Sequence, residues 1–264
     1  MNKENKAMRV YVCVKQTPDT AANIKIVGEA GYDESVKFVV NPYDEYAVEE
    51  AVRLVADKGG EVVVVSVGKP SAVNAIRSTL ALGADRGILV KTDKQFLDSA
   101  TTAMALKAAI LQDGEPDVIF TGKQSVDTES MQTQYRLAAA LGMPVANEVV
   151  SFRLKDDWAV VECEMGGGDR QSLELQLPCV LGATKGLNEP RYPKLPDIMK
   201  AKKKPVKEIK IEDLAIDAPK PAFELTKLHG VAERGAVQML GGETLREAVE
   251  KLVCKLHDEA KVIQ

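Results

Sequence analysis

Between Arg9 and Ala183 the chain repeats one pattern. A short β-branched run comes first, and a longer stretch with apolar residues on one helical face follows it. Val10–Val14, Glu61–Val67, Gly87–Val90 and Val118–Thr121 are the runs. After the first, Asp44 is placed to cap a helix whose Ala47, Val48, Ala51, Val52 and Val55 share a face. Ser71 is placed to cap a second helix, carrying Val73, Ile76 and Leu80 and ending at Gly83. Asp98–Gln112 and Met131–Leu141 read as the third and fourth. Strands this apolar need cover on both faces, which helices provide in a parallel sheet. The expected fold is therefore α/β, a doubly wound, mainly parallel sheet.

The pattern then changes. Ser151–Lys155 and Trp158–Met165 flank Asp156-Asp157, as in a hairpin, and Gly166-Gly167-Gly168 reads as a turn into Ser172–Leu177, where leucines alternate with polar residues. This is an antiparallel hairpin addition with one wet face, and Val180–Leu181 is a further buried strand. Beyond Thr184, Pro190, Pro193, Pro196 and Pro205 rule out a long helix or a central strand. An exposed loop, a short helix from Asp197 and a basic linker are expected. Val206–Pro221 is charged and extended in character, and Glu243–His257 is a last amphipathic helix. The domain reading is a disordered lead-in (1–8), a nucleotide-binding α/β domain (9–183), a loop with its basic segment (184–205) and an extended C-terminal arm (206–264). The arm has one apolar face and cannot build a core alone, so it is expected to wrap a partner subunit.

Several functions are disfavoured. A formal charge of −4 does not suit nucleic acid. The polar first residues resemble no secretory signal, and no window of 18 residues is apolar throughout, so no membrane span and a cytoplasmic (or matrix-equivalent) location are expected. Cys13, Cys163, Cys179 and Cys254 form no CxxC pair and read as reduced core residues. His229 and His257 lie away from them, which leaves no metal site and no Ser/His/Asp or Cys/His catalytic set. Glu49-Glu50 is read as an exposed helix face, and Lys202-Lys203-Lys204 as a solvated basic face. Ligands of open parallel sheets sit at the carboxyl ends of the strands. The loops due there are Cys13-Val14-Lys15 at the end of the first strand, Asn41-Pro42-Tyr43-Asp44, Val67-Gly68 and the one that begins at Gly122. The last continues Lys123, Gln124, Ser125, Val126, Asp127, Thr128, Glu129, Ser130, Met131, Gln132 and Thr133. Its glycine and hydroxyls suit a phosphate beside a helix N-terminus. The same composition also suits a plain solvent-exposed βα loop.

The stretch Thr184-Lys185-Gly186-Leu187-Asn188-Glu189-Pro190-Arg191-Tyr192-Pro193, continuing through Lys194-Leu195-Pro196-Asp197-Ile198-Met199-Lys200 to Lys204, closely resembles the beta subunit of electron transfer flavoproteins. Asn41-Pro42, Ala47–Leu54, Leu82–Gly87 and Gly122-Lys123-Gln124 agree in order, and the resemblance covers roughly residues 8–215. It implies an adenine nucleotide alpha hydrolase-like sheet in an electron carrier subunit that is not itself an enzyme. Its partner is a larger alpha subunit holding most of an FAD. It implies electrons accepted from acyl-CoA or related dehydrogenases and passed to a membrane-bound quinone oxidoreductase. Cys13, Asn41 to Asp44, Val67 and Gly122 to Thr133 are implied to hold AMP, or in bifurcating relatives that oxidise NADH a second FAD. Val126-Asp127 with Gln132-Thr133 resembles the AMP branch. A free-standing adenine-nucleotide sensor of the same superfold is a further alternative, disfavoured by the docking segment. Tyr192, Leu195, Pro196, Ile198, Met199, Lys200 and Lys203 correspond to the segment that meets partner dehydrogenases. Two departures affect contacts with the alpha subunit: Cys163 stands where the family carries a basic residue, and Gly166 where it carries an acidic one.

Overall fold

The computed structural model describes residues 7–216, 225–230 and 235–263, so most of the expected lead-in lies outside it. In chain order the strands and helices are β1 (Met8–Cys13), β2 (Gln16–Pro18), β3 (Ile26–Val27), β4 (Gly31–Tyr32), β5 (Phe38–Val40), α1 (Pro42–Lys58), β6 (Gly60–Gly68), α2 (Val73–Leu82), β7 (Arg86–Lys91) and α3 (Ser99–Asp113). Then come β8 (Val118–Gly122), α4 (Thr133–Leu141), β9 (Val145–Lys155), β10 (Trp158–Gly166), β11 (Asp169–Gln176), β12 (Cys179–Ala183), α5 (Leu195–Ala201), β13 (Val206–Lys210) and α6 (Leu245–Cys254).

One sheet runs β11-β10-β9-β12-β8-β1-β6-β7-β13. From β9 to β13 neighbouring strands are parallel, and β10 and β11 extend it antiparallel. The sheet is buried on both faces, as its apolar runs require. Val12, Val64 and Phe120 lie on the face under α1 and α2, while Tyr11, Val65 and Ile119 face α3 and α4. After β1 the chain builds outward through β6 and β7, then returns to place β8 on β1's other side. The strand order reverses there, so the crevice opens at the carboxyl ends of β1 and β8.

The doubly wound sheet and the hairpin addition follow the sequence reading, with local corrections. Asp44 is not a helix cap: Asn41 takes that position, Pro42 is the first helical residue, and Asp44 points inward. Ser71 sits in a 3-10 turn, and α2 starts two residues later. The short pairs β2–β5 and β3–β4 were not expected, being too brief to show a period. Residues 206–210, expected in the arm, form edge strand β13 on β7, so the boundary at 205 falls inside the sheet domain. Cys13, Cys163 and Cys179 are buried and Cys254 is exposed, which corrects the reading of Cys254 as core.

The chain divides into one compact unit through Leu228 and a second from His229 to Gln264. In the second, the Thr244 hydroxyl caps α6 by accepting from the Glu247 N–H. Leu245, Val249, Leu252 and Val253 are exposed on that helix. Among the described residues no helix is long and apolar enough to cross a membrane, and no group of metal-ligating side chains is assembled.

Candidate functional site

Asn41 and Asp44 tie the crevice together. The Asp44 carboxylate is buried and accepts from the backbone N–H of Lys15 (2.7 Å) and of Gly122 (3.1 Å), one just past β1 and the other closing β8. It also accepts from the Asn41 side-chain amide at 2.9 Å. That amide donates to the Gln124 carbonyl, and the Asn41 side-chain oxygen accepts from the Val126 N–H. Burial pushes the Asp44 carboxyl up to about 7 against the pull of these donors. Gly122 is required by this packing: a Cβ there would collide with Asp44 Oδ1 and lie 2.7 Å from the Tyr43 Cβ.

The loop after β8 closes over the crevice. Lys15 Nζ reaches across to both oxygens of Asp127, at 2.7 and 2.8 Å, and to Ser125 Oγ at 3.4 Å. Ser125 and Thr128 share a hydroxyl hydrogen bond. Glu129 and Met131 take positive φ values of 47° and 51°, and Gln132 returns to the right-handed region before α4. A left-handed residue followed by a right-handed one is a backbone form found in anion-binding concavities, and here Met131 and Gln132 supply it at a helix N-terminus, while the Glu129 N–H is donated to the Ser125 carbonyl. Lys123 is the one basic residue of the loop, and it is engaged by Glu148 at 3.3 Å and by the Tyr43 ring. Gln132 Oε1 accepts from Ser99 Oγ and from the Arg136 guanidinium.

Cys13 lies between Val65 of β6 and Thr121 of β8 in register, and burial drives its thiol well above the usual range. Thr121 Oγ1 is buried and has no hydrogen-bond partner among the described residues. Val67, half-buried, ends the same face of β6. The crevice therefore holds Cys13, Asn41, Asp44 and Gly122 as buried walls, with Thr128, Glu129, Ser130 and Gln132 exposed at its mouth. Pro42 is exposed, and its role is to start α1. The exposed hydroxyls of Thr128 and Ser130 beside the N-terminus of α4 are chemically suited to a phosphate.

Across the α1 face lies the second group of residues. Glu49, read from sequence as exposed, is 3% exposed. Its carboxylate accepts from Arg191 Nε (2.7 Å), Nη2 (3.1 Å) and N (3.3 Å), and from Arg53 Nε (2.6 Å). Burial raises its pKa, and these donors bring it below the usual carboxylate value. Asn188 Nδ2 donates to the Tyr46 carbonyl and to Glu50. Beyond this anchor Tyr192, Leu195, Ile198 and Met199 are exposed, Tyr192 by 93% and Leu195 by 72%. Pro196, Lys200 and Lys203 are exposed beside them.

Comparison with known proteins decides the family. The family model for the electron transfer flavoprotein domain matches residues 30–214. The beta subunit of Bradyrhizobium diazoefficiens is 39% identical over 97% of this chain and all of its own length. That of Bacillus subtilis is 35% identical over the same shares. The chain belongs to the electron transfer flavoprotein beta-subunit family. Subunit CarD of the caffeyl-CoA reductase–Etf complex of Acetobacterium woodii is also similar, at 32% identity over 96% of this chain and 99% of its own. As a beta-subunit family member the chain serves electron transfer.

Reading the sequence placed Lys15 among the loops of the crevice but missed its role as a cross-loop clasp, and it missed Glu49 with Arg191 as an anchor. The doublet Val14-Lys15 ending an apolar strand was a usable signal for the first. For Glu49 none existed, because its partner stands 142 residues further on.

Proposed function

We propose that this chain is the beta subunit of a heterodimeric electron transfer flavoprotein. It pairs with an alpha subunit holding most of the FAD, accepts electrons from dehydrogenases such as acyl-CoA dehydrogenases, and delivers them to a membrane quinone oxidoreductase. AMP is bound between Asn41 and the Gly122–Thr133 loop. When bound, FAD supplies the electron chemistry, and this chain holds the nucleotide and presents the surface around Leu195.

The observation that carries the AMP reading is charge balance in the crevice. The ammonium of Lys15 is taken up by Asp127 and that of Lys123 by Glu148, and the loop has no arginine. Amides and hydroxyls remain for the ligand, a donor set suited to one phosphate rather than a pyrophosphate. Acid extraction of the heterodimer and chromatography of the released nucleotides test this. One FAD and one AMP per heterodimer are expected. Two FAD and no AMP would overturn the AMP reading in favour of a bifurcating subunit.

A further inference from the structure

The segment 188–204 is fastened at both ends and bare in the middle. At its start Glu49 of α1 holds Arg191 through three N–H groups, and Asn188 is held by α1 as well. At its end Arg77 of α2 donates to the carbonyls of Ala201 and Lys204, while Lys204 Nζ donates back to the carbonyls of Leu80 and Ala84. Between these anchors Tyr192, Leu195 and Met199 form an apolar crest. A two-ended anchor fixes the crest before a partner arrives, which lowers the ordering cost of association.

We propose that Glu49 is a positioning residue for docking: acting through Arg191, it holds the crest in the conformation that enters an apolar pocket on a partner protein. The exposed Lys194, Lys200, Lys202 and Lys203 around the crest commit that pocket to a rim of carboxylates. Glu49 is suited to the task because it is buried. A buried carboxylate with four N–H donors does not exchange partners readily, whereas a surface pair would leave the segment loose. The inference rests on the docking reading above, so its test separates the two.

The experiment uses the intact heterodimer as electron acceptor for an acyl-CoA dehydrogenase, with KM and kcat measured beside flavin content and a thermal melt. The variants are Leu195→Ala, Glu49→Gln, the double substitution and Arg191→Lys. Glu49→Gln should raise KM about thirtyfold, the scale of losing one interface hot spot, with kcat and flavin content unchanged. Arg191→Lys, which keeps the charge but not the fork, should raise KM by less, and it carries the test if Glu49→Gln does not fold. The double variant should match Leu195→Ala alone, since both act through one crest. Multiplicative effects, or an unchanged KM in both Glu49→Gln and Arg191→Lys while Leu195→Ala raises it, would overturn the positioning role. An unchanged KM in Leu195→Ala would overturn the docking reading itself.

Discussion

Asp44 receives hydrogen bonds from three parts of the chain, and its two oxygens have different duties. Oδ2 holds the end of β1 through the Lys15 N–H, while Oδ1 holds the end of β8 through the Gly122 N–H. Asp44→Asn would turn an amide NH2 toward one of these donors and leave a buried N–H without an acceptor. A loss of about 1–3 kcal/mol in stability is expected, with weaker retention of nucleotide. Denaturant unfolding beside nucleotide extraction measures both, and an unchanged midpoint with full nucleotide content would refute the strap. Sequence alone could not assign this duty, because a carboxylate two residues after Pro42 also reads as a helix-start charge. Glu49 misled in the same way: a charge pair on a helix reads as wet until its distant arginine is seen.

At the level of elements, the amino ends of the strands are joined by charge. Arg86 of β7 bonds Glu61 of β6 and Asp113 at the end of α3, and Arg9 of β1 adds to Glu61. Hydrogen bonds from Arg86 hold Glu61 below the ordinary carboxylate range. Burial pushes Asp113 up, but Arg86 and Tyr11 bring it lower overall. A carboxylate held low in the folded state contributes stability that is present above its unfolded pKa and lost as pH falls through the folded one. The fold should therefore weaken below about pH 4. Asp113→Asn should cost about 1 kcal/mol at neutral pH, given solvent screening, and flatten that acid dependence. Melts from pH 3 to pH 7 of both proteins (roughly the span of carboxylate titration) check the sign, and parallel profiles would show that Asp113 carries none of it.

The elements that were legible are those with long apolar periods. Glu61–Val67 and Asp98–Gln112 are recovered as β6 and α3 within two residues at each end. Strand β13 escaped because Lys207, Glu208 and Lys210 surround its single buried side chain, Ile209, as suits an exposed edge.

For the whole molecule, the division at Leu228 bears on what the chain does without a partner. Its tail offers α6 with Leu245, Val249, Leu252 and Val253 exposed, and on the proposed reading the crevice at β1 and β8 takes a single phosphate. Expressed alone, the chain should hold no tightly bound FAD, and mixing with its alpha subunit should raise its melting temperature, as binding to the folded state requires. A yellow, stoichiometrically flavinated isolated chain would contradict this. The crossing from β12 to β13 has a mechanical consequence. β12 pairs with β8 near the middle of the sheet, β13 closes its far edge, and the segment 188–204 between them is fastened to α1 and α2. It is a beam resting on two supports, so on the proposed docking reading a partner that pulls on Leu195 loads α1 and α2 together, and the segment is released when either support gives way.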